Sequence, residues 1–183
     1  MPDEAGEIVI GAERIAERVR ELGRLLSETY AGREPVVVAV MKGCVLFLAD
    51  LVRAWPEAMD LEFVTAQSYE GTKPGTIRVT LPADLGEKVT DRPVLVVDDI
   101  FDTGQTLSAV CRQVERLGPS EMRTLVLLRK RRSPPPGAPP IRKPDWVGFE
   151  IEDRFVVGYG LDYRGRWRNL PYLAALRPGV APA

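Results

Sequence analysis

Residues 94 to 107 read VLVVDDIFDTGQTL, an apolar run that leads straight into Asp98, Asp99 and Asp102 and then into Thr103, Gly104, Gln105 and Thr106. Carboxylates at this density can hold sugar hydroxyls, a magnesium ion or a protonated ring nitrogen. The Thr-Gly-Gln-Thr stretch offers a different chemistry. At the start of a helix its unpaired backbone N–H groups and the positive end of the dipole attract an anion, Gly104 lets the backbone come close, and two hydroxyls add donors. Acids beside such a cradle would repel a bare phosphate, so the combination fits a sugar phosphate better. An ordinary strand-to-helix turn with an aspartate N-cap accounts for one carboxylate and leaves two without a role. The chain contains no histidine, so acid–base work falls to carboxylates, Lys or Tyr.

The elements that must position these groups follow from periodicity. Ile15, Val19, Leu22, Leu25 and Leu26 recur at helical spacing between Ala12 and about Tyr30. PVVVAVMKG (35 to 43) is an unalternating β-branched run that suits a strand covered on both faces, and CVLFLADLVRAW (44 to 55) resumes helical spacing. LEFVTAQSY (61 to 69) and TIRVTLP (76 to 82) read as strands joined by EGTKPG, which has the composition of a mobile loop or hairpin. PVLVVDD (93 to 99) and RTLVLLRK (123 to 130) are two more buried strands. Between them Leu107, Val110, Cys111, Val114 and Leu117 mark a helix stopped by Gly118 and Pro119. Alternating strands and helices predict an α/β domain with a mostly parallel sheet, and in such a sheet ligands sit beyond the carboxyl ends of the strands. That is where the three aspartates fall.

The totals bound the function. At 183 residues and 45% hydrophobic composition, one domain over 1–183 with a sizeable core is expected. Net charge is −1, so no global field points to nucleic acid or to an anionic membrane. Cys44 and Cys111 lie among apolar neighbours and read as reduced, buried thiols, no apolar run is long enough to span a bilayer, and no secretory leader is evident. A cytoplasmic protein is expected. The Pro-rich SPPPGAPP (133 to 140), flanked by Arg129, Lys130, Arg131, Arg132, Arg142 and Lys143, reads as a stiff solvated connection rather than a nucleic-acid contact, because no aromatic residue is interleaved with the basic ones.

At this point the residues resemble a family. VLVVDDIFDTGQTL is similar to the phosphoribosyl diphosphate signature of type I phosphoribosyltransferases, and the rest of the chain resembles the hypoxanthine-guanine branch. The similarity runs through VMKG (40 to 43), SY (68 and 69), LLRK (127 to 130) and VGFEIEDRFVVGYGLDYRGRWRNLPYL (147 to 173). It implies the type I phosphoribosyltransferase fold, with a small hood at about 145–175 and a lid loop at about 68–78. It also implies a magnesium-dependent purine salvage enzyme that moves the 5-phosphoribosyl group of phosphoribosyl diphosphate to N9 of hypoxanthine or guanine, giving IMP or GMP.

The resemblance also implies roles. Asp102 would be the catalytic base at the purine N7, and Asp98 and Asp99 would hold the ribose. Thr103, Gly104, Gln105 and Thr106 would cradle the 5′-phosphate, although a basic residue is often found where this chain has Gln105. Met41, Lys42, Gly43 and Arg168 would meet the pyrophosphate, with a cis Met41–Lys42 peptide. Lys130 would donate to the purine 6-oxo group, Trp167 would stack on the ring, and Phe155 and Val156 would meet its other edge by their backbone. Asp162 would join Asp98 and Asp99 around Mg2+, and Ser68 and Tyr69 would open the lid, which here is short and carries Lys73-Pro74-Gly75. A homodimer or homotetramer is implied as well. The alternatives are a phosphoribosyltransferase for xanthine or a pyrimidine, or a non-catalytic RNA-binding regulator of the same fold. The regulator would need the Arg129 to Lys143 segment as its basic face, and it gives no reason for Lys130 and Trp167.

Overall fold

A computed structural model describes residues 6–68, 77–132, 141–177 and 179. The chain begins with a short strand β1 (Ile8–Ile10) and an amphipathic helix α1 (Ala12–Thr29), which buries Ile15, Val19, Leu22 and Leu26, the stripe its spacing predicts. Strand β2 (Val36–Met41) and helix α2 (Val45–Ala54) follow, then β3 (Asp60–Ser68) and β4 (Ile77–Thr80). A short helix α3 (Leu85–Val89) precedes β5 (Pro93–Phe101) and α4 (Gln105–Glu115). The chain closes with β6 (Glu121–Lys130), β7 (Trp146–Ile151), β8 (Val156–Val157) and β9 (Leu173–Ala175). Tyr69, named as part of the lid, and the Pro-rich stretch 133–140 lie outside the described residues.

The main sheet has the order β4-β3-β2-β5-β6-β7 and is parallel except for β4, which pairs antiparallel with β3. The central strands β2 and β5 are covered on both faces, which is why they read as unbroken apolar runs. Val37, Ala39, Leu95, Val97, Leu125 and Leu127 pack in one cluster with the inner faces of α1 and α2. Val36, Val38, Val40, Val94, Val96 and Val126 pack with α3 and α4 on the opposite side. Each fully buried Val or Leu contributes roughly 1.5–3 kcal/mol over its exposed state. Strand β5, with residues of both clusters along its length, is therefore held as a rigid rod.

Three features frame the site. First, β2 lies between β3 and β5, so the connection leaving β2 runs toward one edge of the sheet and the connection leaving β5 toward the other. The chain diverges at the carboxyl ends of β2 and β5, and a crevice opens there. Second, β1, β9 and β8 form a separate three-stranded antiparallel sheet. It ties the N-terminal segment to the hood. Third, Arg18 of α1 donates to the carbonyls of Val147 and Gly148 at 3.0 and 2.9 Å, and the Tyr159 hydroxyl donates to Asp50 of α2 at 2.5 Å. These bonds fix β7 and the hood against the helical layer.

Candidate active site

Strand β5 ends at Phe101, two residues beyond the PVLVVDD stretch expected as a strand, with Asp98 and Asp99 on the strand itself and only Asp102 in the turn beyond it. The extension matters because a strand fixes side-chain direction more tightly than a loop does. Asp98 is 4% exposed and its Oδ1 accepts the Asp99 N–H at 2.9 Å, while Asp99 Oδ1 accepts the Ile100 N–H at 2.7 Å. Burial, and then the neighbouring Asp99 charge, holds the Asp98 carboxyl well above the usual carboxylate range. Burial also raises Asp99, against the opposing effect of its hydrogen bonds and of Arg168. Two adjacent acids, one buried and one half-buried, that resist ionising form a site that gains from a cation or from hydroxyl donors.

The phosphate cradle follows at once. Gly104 is the N-cap of α4 with φ +76°, the left-handed region, and a Cβ there would lie 2.6 Å from the Phe101 ring and 2.9 Å from Ile141. Only glycine fits without displacing both. A cavity of about 250 Å³ opens above this turn, lined by Met41, Gly43, Asp98, Thr103, Gly104 and Thr106 among others. Gly43 is required on the other wall, since a Cβ there would fall 1.5 Å from Asp99 Oδ2. The Met41–Lys42 peptide between β2 and this glycine is cis. Lys42 and Gln105 are exposed, and neither is among the residues lining this cavity.

A second cavity of about 210 Å³ is lined by Asp99, Ile100, Asp102, Lys130, Phe155, Val156, Leu161 and Asp162. Lys130 Nζ, at the end of β6, lies 3.0 Å from Asp102 Oδ2. Arg132 Nη1 donates to Asp102 Oδ1 at 2.5 Å. Partial burial pushes the Asp102 carboxyl up, but the hydrogen bonds from Arg132 and Lys130 outweigh it and hold the group below the usual range. Asp102 is thus an ionised carboxylate, able to accept a proton. Arg132 is the residue at this cavity that sequence reasoning missed, since it was read as part of a solvated basic run.

Trp167 lies apart from where the resemblance placed it. It is not among the residues lining the second cavity; its ring stacks on Tyr163 at 6.4 Å and packs with the cluster of Val157, Ala174 and Leu176. The aromatic side chain that does line the cavity is Phe155, whose ring meets Tyr163 edge-on at 5.4 Å. The expected three-carboxylate magnesium set does not assemble either. Asp162 Oδ1 pairs with Arg168 Nη2 at 2.5 Å, Asp162 Oδ2 accepts the Gly165 N–H at 2.6 Å, and Arg168 Nη1 donates to the Gly160 carbonyl at 2.6 Å. Among the described residues no three His, Cys, Asp or Glu side chains converge on one point. Asp98 and Asp99 still fit magnesium, which is commonly bound by one or two carboxylates with the remaining oxygens from water and substrate phosphates. Ser68 ends β3, and Tyr69 falls outside the described residues.

An acidic strand end, a helix-start anion cradle and a switch point in a parallel sheet together define a phosphoribosyltransferase domain, and the model of the phosphoribosyl transferase domain family matches residues 9–164. The hypoxanthine-guanine phosphoribosyltransferase of Lactococcus lactis is 37% identical over 174 residues, covering 95% of this chain and 92% of that protein. The bifunctional protein TilS/HprT of Listeria innocua is 36% identical over 98% of this chain, which spans 27% of that longer protein. The structure of the Trypanosoma cruzi hypoxanthine phosphoribosyltransferase in complex with IMP superposes with a TM-score of 0.86 at 32% identity, with 98% of each chain covered. The chain belongs to the hypoxanthine-guanine phosphoribosyltransferase family.

Proposed function

We propose that the protein transfers the 5-phosphoribosyl group of phosphoribosyl diphosphate to N9 of hypoxanthine or guanine, releasing pyrophosphate. The observation that carries this reading is that the two cavities share Asp99, Ile100 and Asp102 as lining residues. A sugar phosphate in the first and a base in the second would meet across that common wall. The names of the relatives and the IMP complex of the T. cruzi protein support the same substrates.

The residues divide the work. Backbone N–H groups from Thr103 to Thr106 and the two threonine hydroxyls would take the 5′-phosphate at the start of α4. Asp98 and Asp99 would hold the ribose hydroxyls and a magnesium ion, which when bound neutralises charge on the departing pyrophosphate. Lys42, at the mouth of the crevice, and Arg168, whose charge is felt at Asp99, would lie on the pyrophosphate side. The C1′–oxygen bond breaks ahead of attack, the C1′–N9 bond forms, and Asp102 takes the N7 proton released as the base becomes a substituent. Lys130 has only N–H donors, so it suits the 6-oxo acceptor of hypoxanthine and guanine and mismatches the 6-amino group of adenine. Phe155 would cover the ring.

The buried free thiols Cys44 and Cys111 support a reducing, cytoplasmic setting, and no described helix is long and apolar enough to cross a membrane. Leu61 and Phe63, 39% and 48% exposed on one face of β3, support self-association, which sedimentation would register as a species larger than the monomer. The deciding experiment offers hypoxanthine, guanine, xanthine, adenine and uracil separately with phosphoribosyl diphosphate and magnesium, and resolves the products. IMP and GMP from the first two bases are expected. A pyrimidine nucleotide alone, or no product from protein that binds phosphoribosyl diphosphate, would overturn the reading.

A further inference from the structure

Arg132 lies two residues beyond β6, yet it reaches back to the base cavity. Its Nη1 donates to Asp102 Oδ1 at 2.5 Å and its Nε lies 3.3 Å from Asp153 Oδ2. Lys130 Nζ meets the same two carboxylates on their other oxygens, 3.0 Å from Asp102 Oδ2 and 3.4 Å from Asp153 Oδ1. Each carboxylate is bridged by both cations, and the four charges cancel. Lys130 is the innermost member, its side chain 10% exposed against 39–43% for the other three.

We propose that Arg132 is a positioning residue for the purine site, holding Asp102 paired and oriented while Lys130 turns from that carboxylate to the 6-oxo group of the base. The inference rests on the function proposed above. When a purine enters, Asp102 must turn an oxygen toward N7 and Lys130 must turn toward O6, and both movements loosen the 3.0 Å contact between them. A partly buried carboxylate stripped of its only cation is costly. Arg132 removes that cost, because its contact is on the opposite oxygen and survives the exchange. Its planar fork spans Asp102 and Asp153 together, so its position is set by Asp153 and not by the substrate. Asp153 also offers Lys130 a carboxylate that need not move. Without Arg132 the ammonium of Lys130 would be the sole partner of Asp102, and withdrawing it would become harder.

The test is steady-state kinetics on R132M with the full-length protein, varying hypoxanthine and phosphoribosyl diphosphate in turn. The hypoxanthine KM should rise about tenfold, equivalent to about 1.4 kcal/mol. The phosphoribosyl diphosphate KM and the Tm should stay near their wild-type values, and R132K, which keeps the charge and loses the fork, should recover part of the loss. An unchanged hypoxanthine KM would overturn the proposal. So would a parallel rise in both KM values with a lowered Tm, which would mark Arg132 as structural only. Wild-type protein that forms no purine nucleotide would remove the functional reading itself, whereas active wild type with an indistinguishable R132M removes the role of Arg132 alone.

Discussion

Replacing Asp98 by Asn should make the ligand-free protein more stable while damaging its function. Asn is nearly isosteric, and its side-chain carbonyl can still accept the Asp99 N–H now 2.9 Å away. What disappears is a titrating carboxyl in a site 4% exposed, beside a second, half-buried carboxyl. The sign is fixed by the direction of the shift. Burial and the Asp99 charge raise the Asp98 carboxyl above its unfolded value, so the contribution that its protonated form makes to stability is present below the unfolded value, near 4, and is lost as pH rises through the folded one. At pH 8 the wild type therefore carries a penalty that the Asn variant lacks. Replacing a buried ion pair by neutral groups of similar volume ranges from neutral to stabilising by about 1–4 kcal/mol, a scale that also serves for this unpaired carboxyl, and at this size each kcal/mol moves Tm by roughly 2–4 °C. A rise of about 5 °C is expected at pH 8, shrinking toward zero as the pH is lowered to 4. The assay is thermal unfolding across that range without magnesium or phosphoribosyl diphosphate. Adding both should raise the wild-type Tm and leave D98N nearly unmoved, reversing their order. A variant less stable than wild type at pH 8, with native far-UV dichroism, would refute the reasoning.

Gly104→Ala should cost about 1–2 kcal/mol for the left-handed backbone and a further ~1–3 kcal/mol for displacing the Phe101 ring and Ile141; phosphoribosyl diphosphate KM should rise at least tenfold with hypoxanthine KM little changed, and equal KM values for wild type and variant would dismiss the cradle. Asp102→Asn should lower kcat by roughly 10²-fold with modest change in either KM, checked by initial rates; full turnover would remove the base assignment. Phe155→Ala should raise hypoxanthine KM by about 5- to 150-fold, from ~1–3 kcal/mol of lost stacking, while Trp167→Ala should act mainly on Tm. The reverse ranking would restore Trp167 to the ring.

Asp98, Asp99 and Asp102, Gly104 and the threonines beside it were legible in the sequence because they are contiguous. One strand, one turn and one helix start carry them, and the apolar run before them sets their direction. Lys130 was legible only through the family resemblance, which singled out LLRK at the end of a buried strand. Arg132 was not, because its two partners lie 30 residues before it and 21 after it, and periodicity says nothing about such pairs. The position of Trp167 was not legible either, because which aromatic of the hood faces the cavity depends on the path of the chain between β8 and β9, where Tyr159, Arg164 and Trp167 all adopt positive φ. Strands as short as Ile8–Ile10 and Val156–Val157 have too few residues to show a period.

The same contrast bears on how the two halves of the site can vary. The ribose-phosphate half is built from β5 and the start of α4, clamped between two cores, with Gly43 and Gly104 leaving no room for a side chain. A change there strikes the fold and the substrate together. The base half draws on Asp102, on Lys130 at the end of β6 and on Phe155, Val156 and Leu161 of the hood, segments joined by loops and by the Lys130, Arg132, Asp102 and Asp153 ion cluster. Substitutions there can alter which base is held while the sugar-phosphate cradle stays in register, since the cradle touches that half only through Asp99, Ile100 and Asp102. On the proposed assignment, base choice would be a property of the hood and the ion cluster, and affinity for phosphoribosyl diphosphate a property of the strand.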